Sequence, residues 1–166
     1  MAEATVRYGL QLLQTGQAQK EITHNEALLR ADVLLHAAAQ SRSLAAPPGN
    51  PGDGLCWIVA SGATGDWSYR AGELACAGPG GWRFVSPREG MLVWVADEGL
   101  FARFGPYGWV FGDWTASALL VGGQKVVGGR GAAVADPAGG TTVDSEARAT
   151  LSVILERLRE HGLIDG

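Results

Sequence analysis

"TGQAQKEITHNEALLRAD", residues 15–32, sits inside a run from about Leu10 to Gln40 that contains no proline and a single glycine, Gly16. Good helix formers fill it, so the sequence predicts one long N-terminal helix. Counting from Ala18 in alternating steps of four and three gives Ile22, Asn25, Leu29, Asp32, His36 and Ala39, a heptad seam with polar residues set into it. Two readings of that seam stay open. Polar seam positions can fix the register and copy number of a self-associated bundle at some cost in stability, because a misaligned Asn or Asp is buried without a partner. Alternatively the helix lies on its own β-domain, with Asn25, Asp32 and His36 at the wet edge. On the bundle reading, Asn25→Leu is expected to raise stability while loosening register. Leu28, Ala31, Leu34, Leu35 and Ala38 make the later turns apolar almost all round, which predicts cover on several sides.

Working outward, Pro47, Pro48 and Pro51 with Gly49 and Gly52 stop the helix. From about Gly54 to Trp114, short apolar runs such as "LCWIVA", "GELACA", "MLVWVA" and "GWVFGDW" alternate with glycine turns at roughly ten-residue spacing, as in an antiparallel meander or small barrel. Glycine shortly before tryptophan recurs at 65–67, 80–82, 107–109 and 112–114, a hairpin device. Residues 115–141 are glycine-rich with short β-branched runs, fitting one loose hairpin or a strand lent to a neighbouring chain. A second helix follows, which Thr142 or Asp144 can cap and Gly162 can end. Its seam is cleaner: Ala147, Leu151, Ile154, Leu158 and His161. The fold expected is therefore α+β, with a helical segment at 1–46, an antiparallel β-domain at 47–115, a connector or hairpin at 116–141 and a C-terminal helix at 142–166.

The 166 residues carry a formal charge of −4, which gives no electrostatic reason to expect nucleic acid. No stretch approaches the roughly 20 apolar residues of a membrane span, and a basic-then-apolar secretory signal is missing from the start of the chain. Cys56 and Cys76 lack zinc-site spacing, and the expectation is two inert buried thiols rather than a disulfide. His24, His36 and His161 fall on the predicted helices without a nucleophile motif, and adjacent Asp97 and Glu98 read as a turn rather than an acid–nucleophile pair. No catalytic residue, metal ligand or cofactor is expected. Aromatics remain. Trp57 and Trp94 are expected in the core, whereas Trp67, Trp82, Tyr107, Trp109 and Trp114 sit beside glycine turns, where at least some rings are expected to be exposed and able to stack on sugars, core packing being the favoured alternative for any single one.

"QAQKEITHNEALLRAD", "PPGNPGDGLCWIVASGATGDW", "GGWRFVSPREGMLVWVADEG" and "TVDSEARATLSVILERLREHGLI" occur in that order. Together they resemble the DUF2793 family, domains of uncharacterised function found in tail-fibre and related proteins of alphaproteobacterial phages and gene transfer agents. The resemblance covers residues about 10–115 closely, fades over 116–141, and has the C-terminal helix as a recurrent companion. It implies a component of a phage-like particle, assembled in the cytoplasm, released extracellularly and joined to other tail or capsid proteins. It also implies a homotrimeric fibre or spike that touches host capsule or another surface glycan, which turns the choice between the two seam readings towards self-association. A purely structural connector and, behind it, a polysaccharide depolymerase are the alternatives.

Overall fold

The computed structural model of the chain describes residues 4–13, 20–142 and 144–165. They fall into two compact units, Met1–Asp113 and Trp114–Gly166. In the first unit residues 20–32 of the quoted stretch lie in a helix, α1 (Lys20–Leu34), while residues 10–13 and 37–40, also expected to be helical, are not. Ala18, where the seam count begins, lies outside the described residues. Beyond Leu34 the chain turns at His36, whose φ of +46° ends the helix, and runs extended as β1 (Ala38–Ala39). Helix propensity in "HAAA" is overridden by packing: Ala37 and Ala39 are buried in the core, where their small side chains let a strand approach closely.

The following strands are β2 (Cys56–Ile58), β3 (Leu74–Gly78), β4 (Gly81–Val85), β5 (Leu92–Val95), β6 (Leu100–Gly105) and β7 (Gly108–Phe111), with one 3₁₀ turn at Gly65–Trp67. They form no barrel among the described residues. One sheet has the order β2-β3-β4, all antiparallel; the other has the order β1-β5-β6-β7, antiparallel except that β1 runs parallel to β5. The extended chain from Ala37 to Ser41 joins the two sheets. The Trp94 and Ala96 amides donate to the carbonyls of Ala37 and Ala39, both at 2.9 Å, while Gln40 N donates to Cys56 O at 2.7 Å and Ile58 N to Ser41 O at 3.1 Å.

Strand alternation then sorts the apolar residues. Cys56, Ile58, Leu74 and Cys76 share a core with Val33, Ala39, Val93, Val95 and Ala102, whereas Trp57 and Ala75 point to the other face of the three-stranded sheet and pack with Val59 and Trp67. β2 is thus buried on both faces, which is why "LCWIVA" reads as continuous apolar sequence. The cysteines correct an expectation. Cys56 and Cys76 face each other directly in the β2–β3 register and are joined as a disulfide, a pairing across 20 residues that depends on strand register and so was hidden from the sequence.

In the second unit, β8 (Leu119–Val121) and β9 (Gln124–Val127) form a hairpin closed by Gly122 and Gly123, both at positive φ, as a two-residue hairpin turn requires. Helix α2 (Ser145–Glu160) starts at Asp144, whose carboxylate accepts from Ala147 N at 2.8 Å. It ends as expected at Gly162 (φ +66°): Gly162 N donates to Arg159 O and Leu163 N to Leu158 O, both at 2.9 Å. Gly131 pairs with the chain just past the helix, bonding Leu163 O at 2.7 Å and Asp165 N at 2.9 Å.

Candidate association and ligand surfaces

The polar seam positions of α1 hold the chain's own N-terminal segment. Asp32 is buried, and its carboxylate accepts from Thr5 Oγ1 (2.7 Å), Arg7 N (3.0 Å) and Tyr8 N (2.7 Å). Asn25 reads Leu13 as a strand neighbour would, accepting from its N at 2.9 Å and donating to its O at 3.0 Å. His36 Nδ1 lies 3.2 Å from the Tyr8 hydroxyl. Arg7 returns the contact: its guanidinium donates to the carbonyls of Asp32 (2.8 Å), Val33 (2.7 Å) and His36 (3.0 Å). Carbonyls at a helix C-terminus lack partners within the helix and carry partial negative charge, so Arg7 supplies the cation that the last turn of α1 does not. Gly54 allows this docking, because at its φ of +79° a Cβ would come within 2.9 Å of Val6 Cγ1.

The apolar seam positions are left in the open. Ile22 is 61% exposed and Leu29 half-buried on α1; Leu34 and Leu35, expected to be covered, are each 44% exposed. On α2, Leu151 and Ile154 are each 49% exposed, Leu158 is half-buried, and no described residue is buried. A further apolar surface lies on the outer face of the four-stranded sheet. Register sets Ala38, Trp94 and Phe101 in one row across it and Leu92, Arg103 and Val110 in the next. Trp94 therefore corrects the expectation of a core residue. Alternation in "MLVWVA" buries Val93 and Val95 instead, and turns Trp94 outward, 38% exposed and edge-to-face with Phe101 at 5.0 Å.

Of the five proposed sugar platforms, Trp67 is fully buried and so offers no surface for stacking. It forms a three-ring cluster with Trp57 and half-buried Trp82, with centroids 5.1–6.2 Å apart. Tryptophan after a glycine turn here anchors the sheet's second core, a use the Gly–Trp spacing could not distinguish from display. Trp109 is half-buried, donates through Nε1 to Gly72 O at 2.8 Å and packs on Phe104. Tyr107, at the β6–β7 turn, is fully exposed; Trp114, in the second unit, is 67% exposed.

No three His, Cys, Asp or Glu side chains converge on a metal-sized site among the described residues. Asp97 and Glu98 lie in the β5–β6 turn, and Glu98 pairs with Arg42 at 2.7 Å. The Glu146 carboxyl is held below its usual range by a hydrogen bond from Ser145 and by its own backbone amide.

What sequence reading did not single out is a trough between α1 and β4. A cavity of about 570 Å³ bordered by Glu26, Arg30, Arg83 and Phe84 adjoins one of about 430 Å³ bordered by Ser86, Arg88, Glu89 and Met91, with Arg30 and Val85 common to both. The signal was present, since Arg30 and Arg88 lie in "NEALLRAD" and "PREG", two of the segments that carry the family resemblance.

These features define an α+β module with bare apolar faces and a charged trough. The chain belongs to the DUF2793 family, proteins of unknown function, whose pattern matches residues 24–110 and so begins within α1, covers β1 to β6 and reaches into β7. No curated protein matches the chain.

Proposed function

We propose that this chain is a structural component of a phage-like particle, a tail fibre or spike, in which three copies associate and the β-domain meets surface polysaccharide of the host. The observation that carries the association is the bare apolar stripe of α2. A sixteen-residue helix with no buried residue has little reason to persist alone in water, because nucleation is unfavourable and the stripe stays wet. The outer face of the four-stranded sheet adds a second apolar surface rowed with Trp94 and Phe101. Closed symmetry with three copies suits helices that line a common axis. The disulfide supports an extracellular destination, since thiols in a reducing cytosol rarely stay paired; cytoplasmic assembly then precedes oxidation on release. The phage-like context itself comes from the sequence resemblance.

Light scattering on the purified chain tests this reading. The expected mass is about three times the 17.3 kDa subunit, and a 17.3 kDa species at micromolar concentration overturns it. Capsule pull-down with the intact assembly tests polysaccharide contact, which is on the order of millimolar per site and is raised by avidity across linked copies.

A second reading, a connector without glycan binding, is favoured by the withdrawal of Trp67, Trp82 and Trp109 into packing and hydrogen bonding. It keeps the association and loses the pull-down.

A further inference from the structure

We infer that the trough between α1 and β4 binds the carboxylate of an acidic saccharide, Arg30 and Arg88 supplying the guanidinium forks. This inference deepens the proposed contact with host polysaccharide and rests on it.

Glu26, Arg30 and Val33 fall at i, i+4 and i+7 of α1 and so face one way, towards Arg83, Phe84 and Val85 of β4. Val33 and Val85 are buried and form an apolar floor, while the arginines stand at the rim. The charges are unevenly matched. Glu26 holds Arg83 with two hydrogen bonds, from Nε at 3.3 Å and Nη2 at 3.1 Å, so that pair is neutralised and fixed. Neither Arg30 nor Arg88 has a carboxylate partner among the described residues; of the residues lining the two cavities, Glu89 is the remaining acid, and Glu73, which accepts from Ser86, is paired with Arg70. A chain of net charge −4 thus presents locally an excess of positive charge beside an apolar floor. A planar carboxylate takes two parallel N–H bonds from a guanidinium, and the apolar face of a sugar ring suits Val85 and Met91 better than hydrated phosphate does. Each cavity is of a size usual for small-ligand sites.

Titration calorimetry of the full chain with hexagalacturonate, and with the same hexamer after reduction of its carboxyl groups, tests the inference. The acidic hexamer is expected to bind at least tenfold more tightly than the reduced one. The double variant Arg30→Gln/Arg88→Gln is expected to lose at least tenfold in affinity for the acid with its thermal midpoint unchanged. Lys125→Gln/Arg157→Gln lowers the net charge equally, within the second unit, and is expected to bind as the wild type does. Should the double variant unfold, Arg88→Gln alone replaces it; Arg88 forms no side-chain hydrogen bond or ion pair among the described residues. Equal binding of both hexamers, or full binding by the arginine variants, overturns the trough while leaving polysaccharide contact elsewhere on the surface. Loss of affinity in the charge control as well reduces the effect to net charge and also overturns it. Absence of binding to either hexamer overturns the trough; the fibre reading falls with it only if capsule pull-down fails too.

Discussion

Asn25→Leu separates the two readings of the N-terminal helix by the sign of one number. In a seam between copies, an asparagine replaced by leucine exchanges a buried polar group for an apolar one and stability rises. Within the chain, the same change removes two hydrogen bonds to the backbone of Leu13, at 2.9 and 3.0 Å in a half-buried setting. Each contributes about 1 kcal/mol, and leucine returns roughly 0.4 kcal/mol through better helix propensity, leaving a net loss of about 1.5 kcal/mol. For a unit of 113 residues, at about 4 °C per kcal/mol, the thermal midpoint falls by roughly 6 °C. Calorimetry on the purified protein measures the midpoint, and hydrogen exchange reads the Leu13 amide directly, which should lose protection in the variant. A midpoint that rises, or one that stays put with the Leu13 amide still protected, refutes the docking account of Asn25.

Asp32→Ala strands the Thr5 hydroxyl and the backbone amides of Arg7 and Tyr8, which loosens the segment that carries the Arg7 guanidinium; we expect a loss of about 3–5 kcal/mol in urea unfolding and faster proteolysis ahead of residue 13. Reduction of Cys56–Cys76 reopens a loop of 20 residues and is expected to lower stability by about 3 kcal/mol, read as a shift of the denaturation midpoint with and without reductant; no shift would show that the bridge does not constrain the unfolded chain. Trp67→Ala removes the fully buried member of the three-tryptophan cluster and is expected to cost about 3–5 kcal/mol, whereas Tyr107→Ala, at a fully exposed turn, is expected to change stability by less than about 0.5 kcal/mol.

How far the sequence could be read follows from the range of the forces involved. Helix α2 was legible to its caps because Asp144 and Gly162 act on atoms within a few residues of themselves. The glycine turns of the β-domain were legible for the same reason. Parallel pairing of β1 with β5 was not, because nothing local in "HAAAQ" announces a strand, and the partner lies more than fifty residues on. Trp94 was misplaced because an apolar run such as "MLVWVA" fits either phase of a strand, and only the neighbouring sheet decides which set goes inward. The disulfide and the arginine trough both arise from register between distant elements. At the site level, residue types were legible and exposure was not: the same Gly–Trp signal produced a buried anchor at Trp67 and an open ring at Trp114.

The use of Asn25, Asp32 and His36 inside the chain has a consequence for how copies would meet. A seam needs its polar positions free to find their counterparts, and in α1 those groups already hold Thr5, Tyr8 and Leu13. Opening them would expose a buried carboxylate and strip Arg7 from the carbonyls at the helix end, a loss of several hydrogen bonds for each copy. Association is therefore cheapest where no bond must be broken first: along the Leu151–Ile154–Leu158 stripe of α2 and across the Trp94–Phe101 face of the sheet. Both surfaces are mainly apolar, and burying them gains chiefly from the removal of water, with Arg103 the charged group on the sheet face. On the proposed reading, then, α1 with its docked N-terminal segment is a completed part of the β-domain, and the sheet face and the C-terminal helix are the parts that wait for sister copies.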